Sequence, residues 1–338
     1  MYEKYTVEER CHKILEDNGG VIADKARTIL LEEPALKDLR EPLEFIEKNW
    51  RNPLTPAMIR LSCEAVGGRP EETDEAALAI SLISLSLYVW DDIIDKARLK
   101  SFKPTLFGKF GEGIAIVIGG LASAKAFTIL NQMNVDTVKR QTINRLLWDF
   151  LVKMSQAENV SLKLRSQKSL SAKKKFWKIK TEATDLETCL KIGAVLGNGS
   201  EREIQHLGRY GLCLGIILEL SKDFHVSVNL TAGLAERIKA GTLPYSLLWA
   251  SERSERIRDK LVNLSNKETI KRAEIKEIVE RALEMNMLDA TIKSIRKFTR
   301  KAMAELIELN RNNTTRTLQL FIEAQQHLFI GSLGTLQT

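Results

Sequence analysis

The chain has 338 residues, 44% of them hydrophobic and 28% charged, and carries a net charge of +7. That balance excludes a disordered chain and points to a soluble globular protein with enough residues to bury a large core. The four cysteines, Cys11, Cys63, Cys189 and Cys213, are scattered. They match neither a metal-ligand spacing nor a disulfide framework, and read as reduced, buried thiols of a cytoplasmic protein.

Along the chain, residues 1–5 lack the basic-then-apolar pattern of a secretory signal. Helical periodicity predicts helices over 6–17, 36–49, 54–66, 74–98, 112–132, 137–165, 170–196, 200–226, 243–263, 268–286, 288–311 and 315–331. Thr73-Asp74, Asp136-Thr137 and Ser200-Glu201 supply starts; Gly19-Gly20, Gly67-Gly68 and Gly197-Asn198-Gly199 supply stops. Prolines fall mostly at segment edges, period-2 strand patterns are almost absent, and no linker or repeat appears. The expectation is an all-α chain forming one domain over 1–338.

The body of the helix predicted over 74–98 is apolar on every face from Ala76 to Trp90, except for Ser81, Ser84 and Ser86. It falls short of the roughly 20 apolar residues that span a bilayer, and reads as a core helix. It delivers three acids, Asp91, Asp92 and Asp95. Asp91 and Asp95 share a face one turn apart, with Asp92 about 100° round. Three carboxylates at the end of a buried helix repel one another unless a cation joins them, and hard oxygen ligands suit Mg²⁺. The bland alternative is a helix end surfacing with paired acids.

A second feature is the basic run Lys163, Arg165, Lys168, Lys173, Lys174, Lys175, Lys178 and Lys180. It reads as a solvated face, as attraction of an anionic substrate, or as peripheral contact with a membrane surface. No nucleic-acid motif accompanies it, so no nucleic-acid partner is expected. His12, His206, His225 and His327 are dispersed, without zinc or triad spacing, and no Gly-rich phosphate loop is present.

With its surroundings the aspartate run resembles the first aspartate-rich region of the trans-polyprenyl diphosphate synthases, class I isoprenoid synthases. The matching residues are Leu87 to Asp95, Lys103-Pro104-Thr105, Phe110-Gly111-Glu112 and Ala115 to Gly119. Glu64 to Gly68, Lys180-Thr181, Gly193-Ala194, Tyr210-Gly211, Leu214-Gly215 and Gly241 to Pro244 keep the family's order. The resemblance covers roughly 20–310. It implies a single helical bundle around a central cavity, usually a homodimer, and a Mg²⁺-dependent prenyltransferase acting on an allylic (prenyl) diphosphate. Carried over, Asp91, Asp92 and Asp95 are metal ligands, with Asp91, Asp92 and Lys180 catalytic. Lys180, Thr181 and Lys100 contact substrate. The allylic tail would run past Leu87 and Ser86, whose small volumes imply room for about 15 carbons or more.

Departures from the family pattern shape the functional reading. Where a second aspartate cluster belongs, the chain reads Leu218-Glu219-Leu220-Ser221-Lys222-Asp223. Glu219 and Asp223, at i and i+4, offer a substitute metal pair with Lys222 as a fixed charge near the pyrophosphate. An internal salt-bridge cluster is the alternative. The segment that binds isopentenyl diphosphate in the family corresponds to Trp50 to Pro56, without its key basic residues. The paired arginines appear as Lys100-Ser101, and a histidine appears as Ser84. Three functions stay open: an enzyme on a prenyl diphosphate; a non-catalytic or regulatory subunit of a heteromer with a homologous synthase; and a prenyltransferase to another acceptor, or a terpene cyclase.

Overall fold

A computed structural model describes residues 6–100, 103–166, 171–228 and 232–334, without the side chains of 164–166, 228, 232 and 327–334. Ser101, Lys168 and the side chains of Arg165 and His327 lie outside the described residues. The elements run α1 Val7–Thr28, α2 Arg40–Asn49, α3 Leu54–Ala65, α4 Asp74–Ile94, the hairpin β1 Leu99–Lys100 and β2 Lys103–Pro104, and α5 Leu106–Gln132. There follow α6 Thr137–Ser166, α7 Ala172–Glu182, α8 Thr184–Leu196, α9 Glu201–Val228, α10 Ala232–Ala240 and α11 Tyr245–Ser251. The chain closes with α12 Glu255–Ser265, α13 Arg272–Glu284, α14 Met287–Ile307 and α15 Asn313–Gly334. The all-helical expectation holds.

Contacts group the chain into two compact units. The first comprises Met1–Leu147, Thr188–Gly208 and Leu309–Leu318; the second comprises Trp148–Glu187, Arg209–Glu308 and Gln319–Thr338. Four of the five boundaries fall inside α6, α8, α9 and α15, and the fifth lies between α14 and α15.

In the first unit α4 is the core helix that its composition demands: Ala76, Ala77, Ala79, Leu82 and Leu85 are fully buried. Both α4 and α5 are long and apolar enough to cross a membrane by length and composition, but α4 is mostly buried whereas α5 is not. The predicted helix over 74–98 ends earlier, at Ile94. Lys96 takes a left-handed conformation (φ 53°), Lys96 N–H donates to Ile93 O and Ala97 N–H to Asp92 O. This is a Schellman stop without the glycine that would have announced it.

Gly19-Gly20 do not stop α1, which continues to Thr28. Gly19 is instead a point of close approach: a Cβ there would overlap the Pro53 carbonyl oxygen and press on Ala57 at the start of α3. Alanine for glycine in an open helix interior stabilises by about 1 kcal/mol. Gly19→Ala is expected to do the opposite, lowering stability by about 1–3 kcal/mol through overpacking, read as a lower urea midpoint at unchanged slope. The predicted starts at Asp136 and Ser200 are real caps, accepting from Lys139 N–H at 2.9 Å and Glu203 N–H at 3.3 Å. Thr73 does not cap α4; its hydroxyl donates to Pro70 O at 2.7 Å.

Candidate functional site

The α4 terminus sets up the acidic site. Asp92 is fully buried, Asp91 and Asp95 are half-buried, and the carbonyl end of the helix adds its own negative charge. The chain then turns back: Thr105 N–H donates to Arg98 O, the Thr105 hydroxyl donates to Ala97 O at 2.6 Å, and Lys100 pairs in register with Lys103. This hairpin returns the Lys100 ammonium to the aspartates, 2.5 Å from Asp92 Oδ1 and 3.1 Å from Asp91 Oδ2. It also lies 4.8 Å from the Tyr88 ring centroid. Burial favours the neutral amine, but Asp91 and Asp92 outweigh it and hold the Lys100 pKa above its ordinary value.

Neither Asp92 oxygen makes a well-directed hydrogen bond among the described residues, although both are buried. Lys100 supplies charge but not full coordination. Buried carboxylate oxygens left with open lone pairs, on a helix that presents two further carboxylates, are the donor set of a hard divalent cation. Asp91 and Asp95 bring carboxylate oxygens within 4.8 Å of each other, close enough to share such an ion.

The neighbouring segment is built differently. Arg51, its only cation, is committed to α1. It makes a double contact with Glu16 at 2.7 Å and reaches Asp24 at 2.8 Å. Those two carboxylates raise its pKa further. Asn52 donates to the Ser84 hydroxyl at 3.2 Å and to the Thr55 hydroxyl at 3.0 Å, while its own oxygen accepts Leu54 N–H. The two positions at which basic groups were missed thus satisfy one another as a neutral pair.

In the second unit the expected residues part company. Lys180 is exposed, and Thr181 is buried with its hydroxyl donating to Trp177 O at 3.0 Å. The inward face of α7 carries Lys175, Lys178 and Glu182 instead. The Lys178 ammonium lies 3.2 Å from Glu158, 3.3 Å from Glu182 and 3.1 Å from the Ser161 hydroxyl. Burial pushes Glu182 up to about 7, with Lys178 and Lys175 opposing. The 3-and-4 spacing of Lys175, Lys178 and Glu182 was a legible signal; the basic run hid it.

Asp223 is buried and surrounded by partners: Arg237 at 2.8 Å, Lys175 at 3.4 Å and Tyr245 N–H at 3.1 Å. Burial works to raise its pKa, but Lys175, Arg237 and that amide together hold it below the usual carboxylate range. Glu219 pairs with the exposed Lys222 at 2.6 Å. The Glu219 carboxylate beside it holds the Lys222 pKa above its ordinary value. Glu219 thus pairs with Lys222, whereas Asp223 pairs with Lys175 and Arg237. On α4, Ser86 is fully buried against α5, donating to Gly119 O and lying 2.7 Å from the Ser123 hydroxyl, whereas Leu87 is half-buried.

The polyprenyl synthetase family model matches residues 39–282. The chain is 28% identical over 217 residues to a short chain isoprenyl diphosphate synthase of Methanothermobacter thermautotrophicus, covering 62% of this chain and 66% of that protein. It is 28% identical over 243 residues to the putative chloroplastic geranylgeranyl pyrophosphate synthase 8 of Arabidopsis thaliana, covering 66% and 67%. The matches thus span about two thirds of these relatives' length. Among solved structures, geranylgeranyl pyrophosphate synthetase from Pyrococcus horikoshii superposes with a TM-score of 0.82 at 21% identity, covering 94% and 98% of the two chains. A polyprenyl synthase from Caulobacter crescentus, complexed with calcium and isoprenyl diphosphate, gives 0.81 at 18% identity, covering 95% and 97%.

Proposed function

Because the chain belongs to the polyprenyl synthetase family, we propose that it binds a prenyl diphosphate with Mg²⁺ at Asp91, Asp92 and Asp95, and acts as a prenyltransferase that does not use isopentenyl diphosphate efficiently. The metal half rests on Asp91 and Asp95, whose carboxylate oxygens lie within 4.8 Å of each other, and on the buried Asp92 Oδ2 beside them, which has no hydrogen-bond partner among the described residues. Bound there, the ion would supply charge to the departing diphosphate. Lys100 offers a fixed cation alongside, and the apolar body of α4 keeps water from an allylic cation.

The observation that carries the acceptor half is the commitment of Arg51 to Glu16 and Asp24, with Asn52 and Ser84 paired to each other. A diphosphate there would lose several charge-assisted hydrogen bonds, each worth about 1.5–3 kcal/mol. Calorimetry with Mg²⁺ is expected to show isopentenyl diphosphate binding at least about a hundredfold more weakly than an allylic diphosphate. Comparable affinities would remove this half of the proposal. Leu87, half-buried, is the position at which a bulkier side chain should shorten the accepted tail. Ser86→Phe would overpack α4 against α5 before it tested anything about a tail.

A second reading, that the chain works as a subunit beside a homologous synthase or a second copy, is favoured by α5. Ile116, Val117 and Phe127 are exposed on one face, and a Cβ at Gly113 or Gly120 would meet open space. Such a contiguous apolar face suits a partner helix.

A further inference from the structure

The basic run of the sequence takes a definite form on α7. One face of this helix is fixed inward: Ala172 and Ile179 are buried, and Phe176 packs on Tyr245 and Phe298 with ring centroids 5.4 and 6.2 Å away. Lys175 and Lys178 are committed to Asp223, Glu158 and Glu182. At about 100° per residue, the opposite face then presents Lys173, Lys174 and Trp177, all exposed. Neither of these lysines has an ion-pair partner among the described residues. Both sit in the first turn, where no acid stands and where the helix's own field disfavours cations.

The surroundings have the same character. Lys178 Nζ lies 3.1 Å from the Ser161 hydroxyl, and the next two residues of α6, Leu162 and Lys163, are exposed. At the start of α7, Glu252 accepts Ala172 N–H at 2.8 Å, and the exposed Arg253 that follows it stacks 3.9 Å from the Trp249 ring centroid. Trp177 is 41% exposed and Leu162 47%, so large apolar side chains stand among the cations. A soluble polyanion would need only the charge. An indole and a leucine among lysines suit a layer in which anionic headgroups cover hydrocarbon. The outward face of a helix is convex, which offers an extended peptide no groove but lets a broad surface touch every side chain at once.

We propose that this face of α7 docks the protein on an anionic lipid surface, with Lys163, Lys173, Lys174 and Arg253 at the headgroups and Trp177 and Leu162 in the interfacial layer. Lys180 follows on the same helix, but the family resemblance gives it to the diphosphate. The inference goes beyond the proposed function and requires neither metal nor prenyl diphosphate, so the two fail separately.

Sedimentation of the full metal-free chain with lipid vesicles tests this. Binding to vesicles of phosphatidylcholine with phosphatidylglycerol should be saturable, weakened by salt, and at least about tenfold tighter than to phosphatidylcholine alone. Lys173→Glu combined with Lys174→Glu should weaken it at least about tenfold. Lys37→Glu combined with Lys48→Glu makes the same change in net charge at exposed lysines of the first unit, and should stay within about twofold of wild type. Trp177→Ala, which alters no charge, should weaken binding at least about threefold. No saturable binding, equal binding to both vesicle types, equal losses in the two double variants, or wild-type binding by Trp177→Ala would each overturn the proposal. Full displacement from the vesicles by an equal charge of polyglutamate or duplex DNA would also overturn it, marking a soluble acidic partner instead.

Discussion

Asp223→Asn is expected to lower the stability of the folded protein by about 3–5 kcal/mol, because it leaves Lys175 and Arg237 facing each other without their shared counter-ion. The pH dependence has a definite sign. The folded-state pKa of Asp223 lies below its unfolded value, so its contribution is present above the ordinary carboxylate range and lost as pH falls through the folded value. Denaturant titrations across acid pH should show wild type and Asp223→Asn converging as pH falls. A variant as stable as wild type at neutral pH would mean that the cluster does not hold α7, α9, α10 and α11 together.

Glu182 carries the opposite sign. Its pKa is raised by burial to about 7, so the folded state favours its neutral form. The associated stability is fully present below the unfolded carboxylate value and is lost as pH rises through about 7. The rise from 4.5 to about 7 would correspond to about 3 kcal/mol at full burial. With 24% of the side chain exposed, about 1–3 kcal/mol is the better expectation. Wild type should therefore lose stability between pH 5 and 8, and Glu182→Gln should flatten that slope and match or exceed wild type at pH 8. The same slope in the variant would show that another group is responsible.

The fold class was legible because long periodic segments with few breakers leave little choice, and the aspartates were legible because three acids end an all-apolar helix. The differences have specific physical causes. A glycine pair reads as a stop, yet Gly19 is there because the start of α3 crosses α1 too closely for a Cβ. The end of α4 was overrun because Lys96, not glycine, takes the left-handed position. Lys180 was singled out by motif order, whereas the helical phase of α7, fixed by packing, turns Lys178 and Glu182 inward. The partners of Asp223 lie 48 residues before it, at Lys175, and 14 after it, at Arg237, a clustering that only tertiary structure reveals.

The central claim is that Asp91, Asp92 and Asp95 hold a divalent ion together with a diphosphate, and thermal unfolding with Mg²⁺ and inorganic pyrophosphate tests it most directly. A ligand set bound only by the folded state stabilises by mass action, about 2.7 kcal/mol at a hundred times its dissociation constant. The wild-type protein should gain several degrees with both components and little with either alone. Asp91→Ala and Asp95→Ala should lose that gain while remaining folded, since both side chains are half-buried at the helix end. An undiminished shift in both variants would contradict the assignment of the site.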